Sequence, residues 1–175
     1  MKRVRRSLGH GHGRAAACAA GVLLLAALCG RDAWASADCI VSSAGVSFSI
    51  YDPLDATPKD STGTVDVTCT YTGGGASQIA YSVRLSTGSS GTYTVRRMNA
   101  GSMRLDYNLY SDARRTSVWG DGLGGTTRVT GGFTVGPGVG NGQRQASSII
   151  YGRMPARQDA LDGTFADTIV VTLEF

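Results

Sequence analysis

Histidine, glutamate and lysine are nearly missing from this 175-residue chain. Its histidines are His10 and His12, its lysines Lys2 and Lys59, and its one glutamate is Glu174. With no histidine beyond residue 12, a Ser-His-Asp or Cys-His mechanism has no base, and a His-ligated zinc site has no ligands. Cysteine is scarce as well. Cys39 and Cys69 are too few for a thiolate metal site and too far apart for a C-x-x-C redox pair. No cofactor is expected. Aspartates are the remaining chemistry: Asp106, Asp112, Asp121, Asp159, Asp162 and Asp167 are the candidates for a carboxylate pair or a calcium site. However, Asp121-Gly122 and Asp162-Gly163 read as turns, where Asp accepts backbone N–H bonds and Gly supplies positive φ. No EF-hand spacing is present.

Long apolar runs are absent too. The longest, Ala15 to Leu28, falls short of the roughly 20 residues that span a bilayer. It follows Lys2, Arg3, Arg5, Arg6 and Arg14 and precedes Ala33-Trp34-Ala35 and Ala35-Ser36-Ala37. A basic start, an apolar stretch and small residues at peptidase spacing make a signal peptide over residues 1–35, with cleavage as late as 37. Leu28 stands before Cys29 where a lipoprotein site needs a small residue. Eleven of the 17 Lys and Arg and 12 of the 13 Asp and Glu lie beyond Asp32, so the exported part carries −1 rather than +4. The basic balance belongs to the leader and does not point to nucleic acid. In an exported domain, Cys39 and Cys69 are expected to form a disulfide.

Helical periodicity is the third absence: beyond the leader no stretch holds a 3.6-residue repeat over three turns. What is present is alternation. Val46, Phe48 and Ile50 alternate with serines; Val65, Val67 and Cys69 alternate with Asp66 and Thr68; Tyr81, Val83 and Leu85 alternate with Ser82 and Arg84. Met103 to Leu109 repeats the pattern, Cys39 to Val41 opens it, and Arg128 to Val135 and Ser147 to Tyr151 carry it more weakly. The last run, Thr168 to Phe175, points Ile169, Val171, Leu173 and Phe175 one way, so the terminus is expected to belong to the core, with a free strand edge that needs cover. Seven or eight short strands with turn signals between them predict one all-β domain over residues 36–175, an antiparallel sandwich. Single helical turns are expected at Ser111–Arg115 and Pro155–Asp162.

Glycine, at 25 residues, supplies the turns. Gly73–Gly75, Gly88–Gly91, Gly120–Gly125 and Gly136–Gly142 read as loops. Gly120 to Gly125 formally matches G-x-G-x-x-G, but a dinucleotide site needs a strand before it and a helix after it. Trp119 beside that loop reads as a packing residue over the sandwich end rather than a stacking platform for a ligand.

Taken in order, the Cys39/Cys69 pair, "LDYNLYSDARRTSVWGDG" (Leu105 to Gly122), "IIYGRMPA" (Ile149 to Ala156) and "GTFADTIVVTLEF" (Gly163 to Phe175) resemble the spore coat protein U domain family, which includes subunits of Csu-type chaperone–usher pili. The resemblance implies an immunoglobulin-like sandwich that is incomplete, with one edge strand missing. It implies a periplasmic chaperone, an outer-membrane usher and neighbouring fimbrial or coat subunits as partners, the open edge being filled by a strand from outside. Nucleic acid is not implied, nor is a membrane span in the exported part. The inward residues of the final run, Ile169, Val171, Leu173 and Phe175, become the expected wall of the acceptor groove, and Glu174 an expected contact for basic groups of the chaperone. Cleavage after Ala35 would leave three residues before Cys39, a reach of about 10 Å, so the subunit is expected to accept a strand and have none to give. A secreted structural subunit, not an enzyme, is the expectation. The alternative is a fibre-tip adhesin that binds a surface or glycan through its Gly-rich loops, with Leu123 and Val139 as apolar contacts.

Overall fold

The computed structural model describes residues 36–72, 77–135 and 142–175. The expected leader, Gly73–Gly75 and the expected tip contact Val139 lie outside the described residues. The described residues hold eight strands: β1 Ser36–Ala44, β2 Lys59–Thr72, β3 Ser77–Leu85, β4 Arg96–Ala100, β5 Met103–Tyr110, β6 Val129–Val135, β7 Gly142–Met154 and β8 Val171–Glu174. They form a five-stranded sheet in the order β1-β2-β7-β5-β4 and a three-stranded sheet in the order β6-β3-β8. Every pairing between named strands is antiparallel.

The alternation in the sequence sets the faces. On β2, Val65, Val67, Cys69 and Tyr71 are buried while Thr64, Asp66, Thr68 and Thr70 are not. Threonine suits that outer face, because its branched side chain fits a pleated surface and tolerates water. Ile79, Tyr81, Val83 and Leu85 of β3 meet Leu105, Tyr107 and Leu109 of β5 and Ile150 and Met154 of β7 in one core. The expected disulfide is present: Cys39 lies directly opposite Cys69 in the β1–β2 register, with Cα atoms 4.0 Å apart. It ties an edge strand to its neighbour.

The chain departs from the sequence reading in four places. Val46 to Ile50 is not a strand: the β1–β2 register ends at Ala44 opposite Thr64, and Ser49 takes a left-handed φ of 56°. β4 was not legible, since Arg96, Arg97 and Asn99 hide the alternation. The final strand is shorter than expected, with only Val171–Glu174 laddered. Neither expected helical turn forms. At Ser111–Arg115 the Asp112 carboxylate instead accepts the Thr116 and Ser117 N–H groups, at 3.0 and 2.7 Å, an Asx arrangement that competes with helix. The helical piece among the described residues is a 3-10 turn at Gly88–Ser90.

Trp119 is completely buried and its indole N–H donates to the Val83 carbonyl at 3.0 Å. That is the packing role, and it leaves no face for a ligand. The following loop turns on Asp121, whose carboxylate accepts from the Leu123 N–H, and returns through Thr127, bridged to Trp119. No helix follows, so the glycine pattern is a turn and not a dinucleotide motif.

Candidate functional site: an open cleft between the two sheets

Each sheet ends in a strand with a free edge on the same side of the sandwich: β1 in one sheet and β8 in the other. The two strands touch. Beyond them the seam opens into a cleft of about 680 Å³, between the chain that leaves β1 and the chain that leads into β8. Its floor is the core itself, with Leu85, Leu105, Tyr107, Leu109, Ile150 and Met154 lining it.

The first wall is Gly45 to Tyr51. Phe48 is buried and Val46 half-buried, and Phe48 stands edge-on to Tyr107 with ring centroids 5.9 Å apart. Gly152 lets this segment lie close, because a Cβ there would meet Val46 Cγ1 at 2.7 Å and Phe48 Cζ at 2.8 Å. Ser61 Oγ holds the segment by donating to the Ser47 carbonyl at 2.5 Å. Tyr51 fixes its far end: the hydroxyl donates to the Pro155 carbonyl and accepts from the Gln158 N–H.

The second wall is Phe165 to Val171. It alternates ahead of the β3–β8 ladder, which it joins at Val171. Phe165, Asp167, Ile169 and Val171 line the cleft and are half-buried, while Thr168 and Val170 are exposed, as is Ala166 at the cleft rim. Its backbone crosses from one sheet to the other. Ala166 exchanges two hydrogen bonds with Asn99 of β4, at 2.9 and 3.1 Å, and Val170 exchanges two with Ser86, just past β3. Among the described residues no strand is paired to the cleft-facing edge of either wall.

One polar contact ties wall to floor. Tyr107 donates its hydroxyl to Asp167 Oδ2 at 2.7 Å, and Asp167 Oδ1 accepts the N–H groups of Ser89 and Thr168, each at 2.9 Å. Burial, then the bond to Asp167, drives the Tyr107 hydroxyl far above the ordinary tyrosine range, so it stays a neutral donor. Nearby, Arg96 is fully buried and held by neutral oxygens: the Ser86 and Trp119 carbonyls and Asn108 Oδ1, at 2.6 to 3.0 Å. Its guanidinium lies 5.3 Å from the Tyr93 ring centroid. Burial lowers its pKa below the ordinary arginine range. Sequence patterning does not single out this residue, because an arginine in a polar-looking run carries no periodic signal.

The residues singled out in the sequence divide. Ile169 and Val171 line the cleft. Leu173 packs against the core without lining it, and Phe175 is 59% exposed. Glu174 is taken by its own chain: its carboxylate pairs with Arg84 and Arg128 across the three-stranded sheet and accepts from Ser82. Leu123 stands exposed on its turn. Phe48, Phe165 and Asp167 were missed as cleft residues. The sequence did contain a signal, since Phe165 and Asp167 continue the two-residue alternation backwards from Ile169. Among the described residues no group of three or more His, Cys, Asp or Glu side chains is placed to hold a metal ion, and no helix is long and apolar enough to cross a membrane.

The model of the Spore Coat Protein U domain matches residues 25–172. The chain belongs to that family. It is 32% identical over 137 residues to Protein U of Myxococcus xanthus, covering 74% of this chain and 71% of that one. Among solved structures it resembles the chaperone–tip adhesion subunit pre-assembly complex from archaic chaperone-usher Csu pili of Acinetobacter baumannii. The TM-score is 0.50 at 22% identity, over 80% of this chain and 40% of the solved chain. At that identity the likeness is one of fold.

Proposed function

We propose that this chain is an exported structural subunit of a fimbria or coat, and that its cleft is an acceptor for a β-strand supplied by a chaperone or a neighbouring subunit. The observation that carries this reading is the cleft's construction. Two extended walls lie on either side of an apolar floor, and each has a backbone edge with no strand partner among the described residues. Backbone N–H and C=O groups beside an apolar trough favour an extended peptide over a small molecule, because the peptide satisfies the groups and fills the trough at once. The solved complex of similar fold pairs a subunit with a chaperone, which fits the same role here.

The subunit is proposed to lack a strand of its own to donate. Residues 36–38, which a cleavage after Ala35 would leave ahead of Cys39, are already committed: Ser36, Ala37 and Asp38 pair with Thr72, Tyr71 and Thr70 in the β1–β2 ladder. A place at the end of an assembly is the position this pairing supports. A mutant carrying Ile169→Asp and Val171→Asp should be exported but missing from the sheared, high-mass surface fraction in which the native chain sits. Native chain found only as free monomer in the periplasm would contradict the structural role.

A second reading rests on Leu123, which stands 67% exposed at a loop tip. A tip subunit that adheres through this turn should lose surface attachment in Leu123→Asp while still assembling; unchanged attachment would remove the adhesin reading.

A further inference from the structure

We infer that Ser49 and Ile50 form a hinged lip on the acceptor cleft, one that turns inward when a strand enters. This inference rests on the acceptor reading above and adds a residue-level response to it. The wall runs Val46-Ser47-Phe48-Ser49-Ile50, an alternation that would send all three apolar side chains to one face. The structure obeys it for two. Val46 is half-buried and Phe48 buried, but Ile50 is 87% exposed although it borders the cleft mouth. The break falls between them, at Ser49, whose φ is 56°.

A left-handed backbone is one that a non-glycine residue adopts only where its surroundings hold it there. Among the described residues no side-chain bond of Ser49 secures the kink, and the segment is pinned on either side of it: by Ala44 in the β1–β2 ladder, by Ser61 on Ser47 and by Tyr51 on Pro155. A strand laid along this wall rewards an extended backbone with new hydrogen bonds. Bringing Ser49 into the β region restores the alternation, so Ile50 swings from water onto the floor and covers the end of the inserted strand. In the unfilled subunit the kink keeps the mouth open. The occupant is therefore an extended segment long enough to reach the mouth at Ile50 with an apolar residue, not one that stops at the middle of the floor.

Hydrogen exchange read by mass spectrometry tests this on the leader-free chain, alone and with a synthetic peptide of alternating valine and threonine flanked by lysines. The expected result is new protection at Val171–Leu173, which reports strand uptake, together with protection at Ser47–Tyr51, which reports the straightened lip. Uptake without any change at Ser47–Tyr51 would overturn the hinge and leave the acceptor reading standing; no protection at either wall would overturn both. Three variants separate the hinge from mere stability. Ile50→Asp should weaken peptide binding about tenfold, in line with burial of one large aliphatic side chain, while leaving unfolding of the empty subunit unchanged. Ser49→Val disfavours the left-handed conformation and should tighten peptide binding, whereas Ser49→Gly permits the kink freely and should weaken it. Equal affinities across native chain, Ser49→Val and Ser49→Gly would refute the hinge.

Discussion

Tyr107 reaches from the middle of one sheet to Asp167 on the crossing segment, 60 residues further along the chain, and donates its hydroxyl at 2.7 Å. This bond fastens the second wall of the cleft to its floor. The wall has no ladder at that point, so its position depends on a few discrete contacts: Asn99 with Ala166, Ser86 with Val170, and Tyr107 with Asp167.

Tyr107→Phe should therefore loosen the wall and destabilise the subunit by about 1–2 kcal/mol, the loss of a charge-assisted hydrogen bond with two backbone donors left on the carboxylate. Urea unfolding measures it. The same variant has a pH signature. The folded-state pKa of Tyr107 is raised above the ordinary 10, so its contribution is complete below pH 10 and is lost as pH climbs from there toward the folded value. Alkaline destabilisation should thus be shallower in Tyr107→Phe. It should not vanish, because burial also raises Tyr81 and Tyr93.

Gly88 and Gly91 form a matched pair. Both have positive φ, 67° and 72°, but a Cβ on Gly88 would meet Asp167 Oδ2 at 2.1 Å while one on Gly91 would meet nothing within 4 Å. Gly91→Ala should cost only the backbone penalty, about 1 kcal/mol. Gly88→Ala should cost clearly more, since it also pushes Asp167 off Tyr107 and Ser89. Equal costs in thermal unfolding would mean that Asp167 is not fixed as described.

Arg96→Met should destabilise by about 2–6 kcal/mol, since each buried acceptor left without a donor costs about 1–3 kcal/mol. The Ser86 and Trp119 carbonyls would lose their Arg96 donors, and Asn108 Oδ1 would keep only the Leu109 N–H. Arg96→Lys should rescue little, because one ammonium cannot span acceptors arranged around a planar guanidinium. Equilibrium unfolding of both variants checks this.

Reduction of Cys39–Cys69 should lower stability by about 3–4 kcal/mol in the chain-entropy model for a separation of 30 residues. Comparison of unfolding midpoints with and without a reductant measures it. The effect should concentrate on β1, whose one ladder neighbour is β2.

Much of this fold could be read from alternation alone. β2, β3 and β5 announced themselves because their inward positions carry Val, Leu, Tyr and Cys at every second residue. β4 did not, because its most buried residue is Arg96, satisfied by carbonyls that only the tertiary structure brings together. The first wall was read as a strand for a sound reason, since Val46 and Phe48 do face inward; the kink at Ser49 is a tertiary event with no sequence marker. The second wall was legible only in part. Alternation located Ile169 and Val171, but whether the alternation meets a ladder, a cleft or water is decided by what lies beside it, which is why Leu173 and Phe175 were placed with them.

The central claim is that this sandwich takes in one strand between Gly45–Tyr51 and Phe165–Val171. Its most direct test is urea unfolding of the leader-free chain with the alternating Val/Thr strand tethered to its C-terminus by a flexible Gly/Ser linker, against the same chain carrying the linker alone. A filled cleft predicts a higher midpoint and a steeper urea dependence, because more surface is buried in the folded state. Superimposable curves would show that the cleft does not accept a strand.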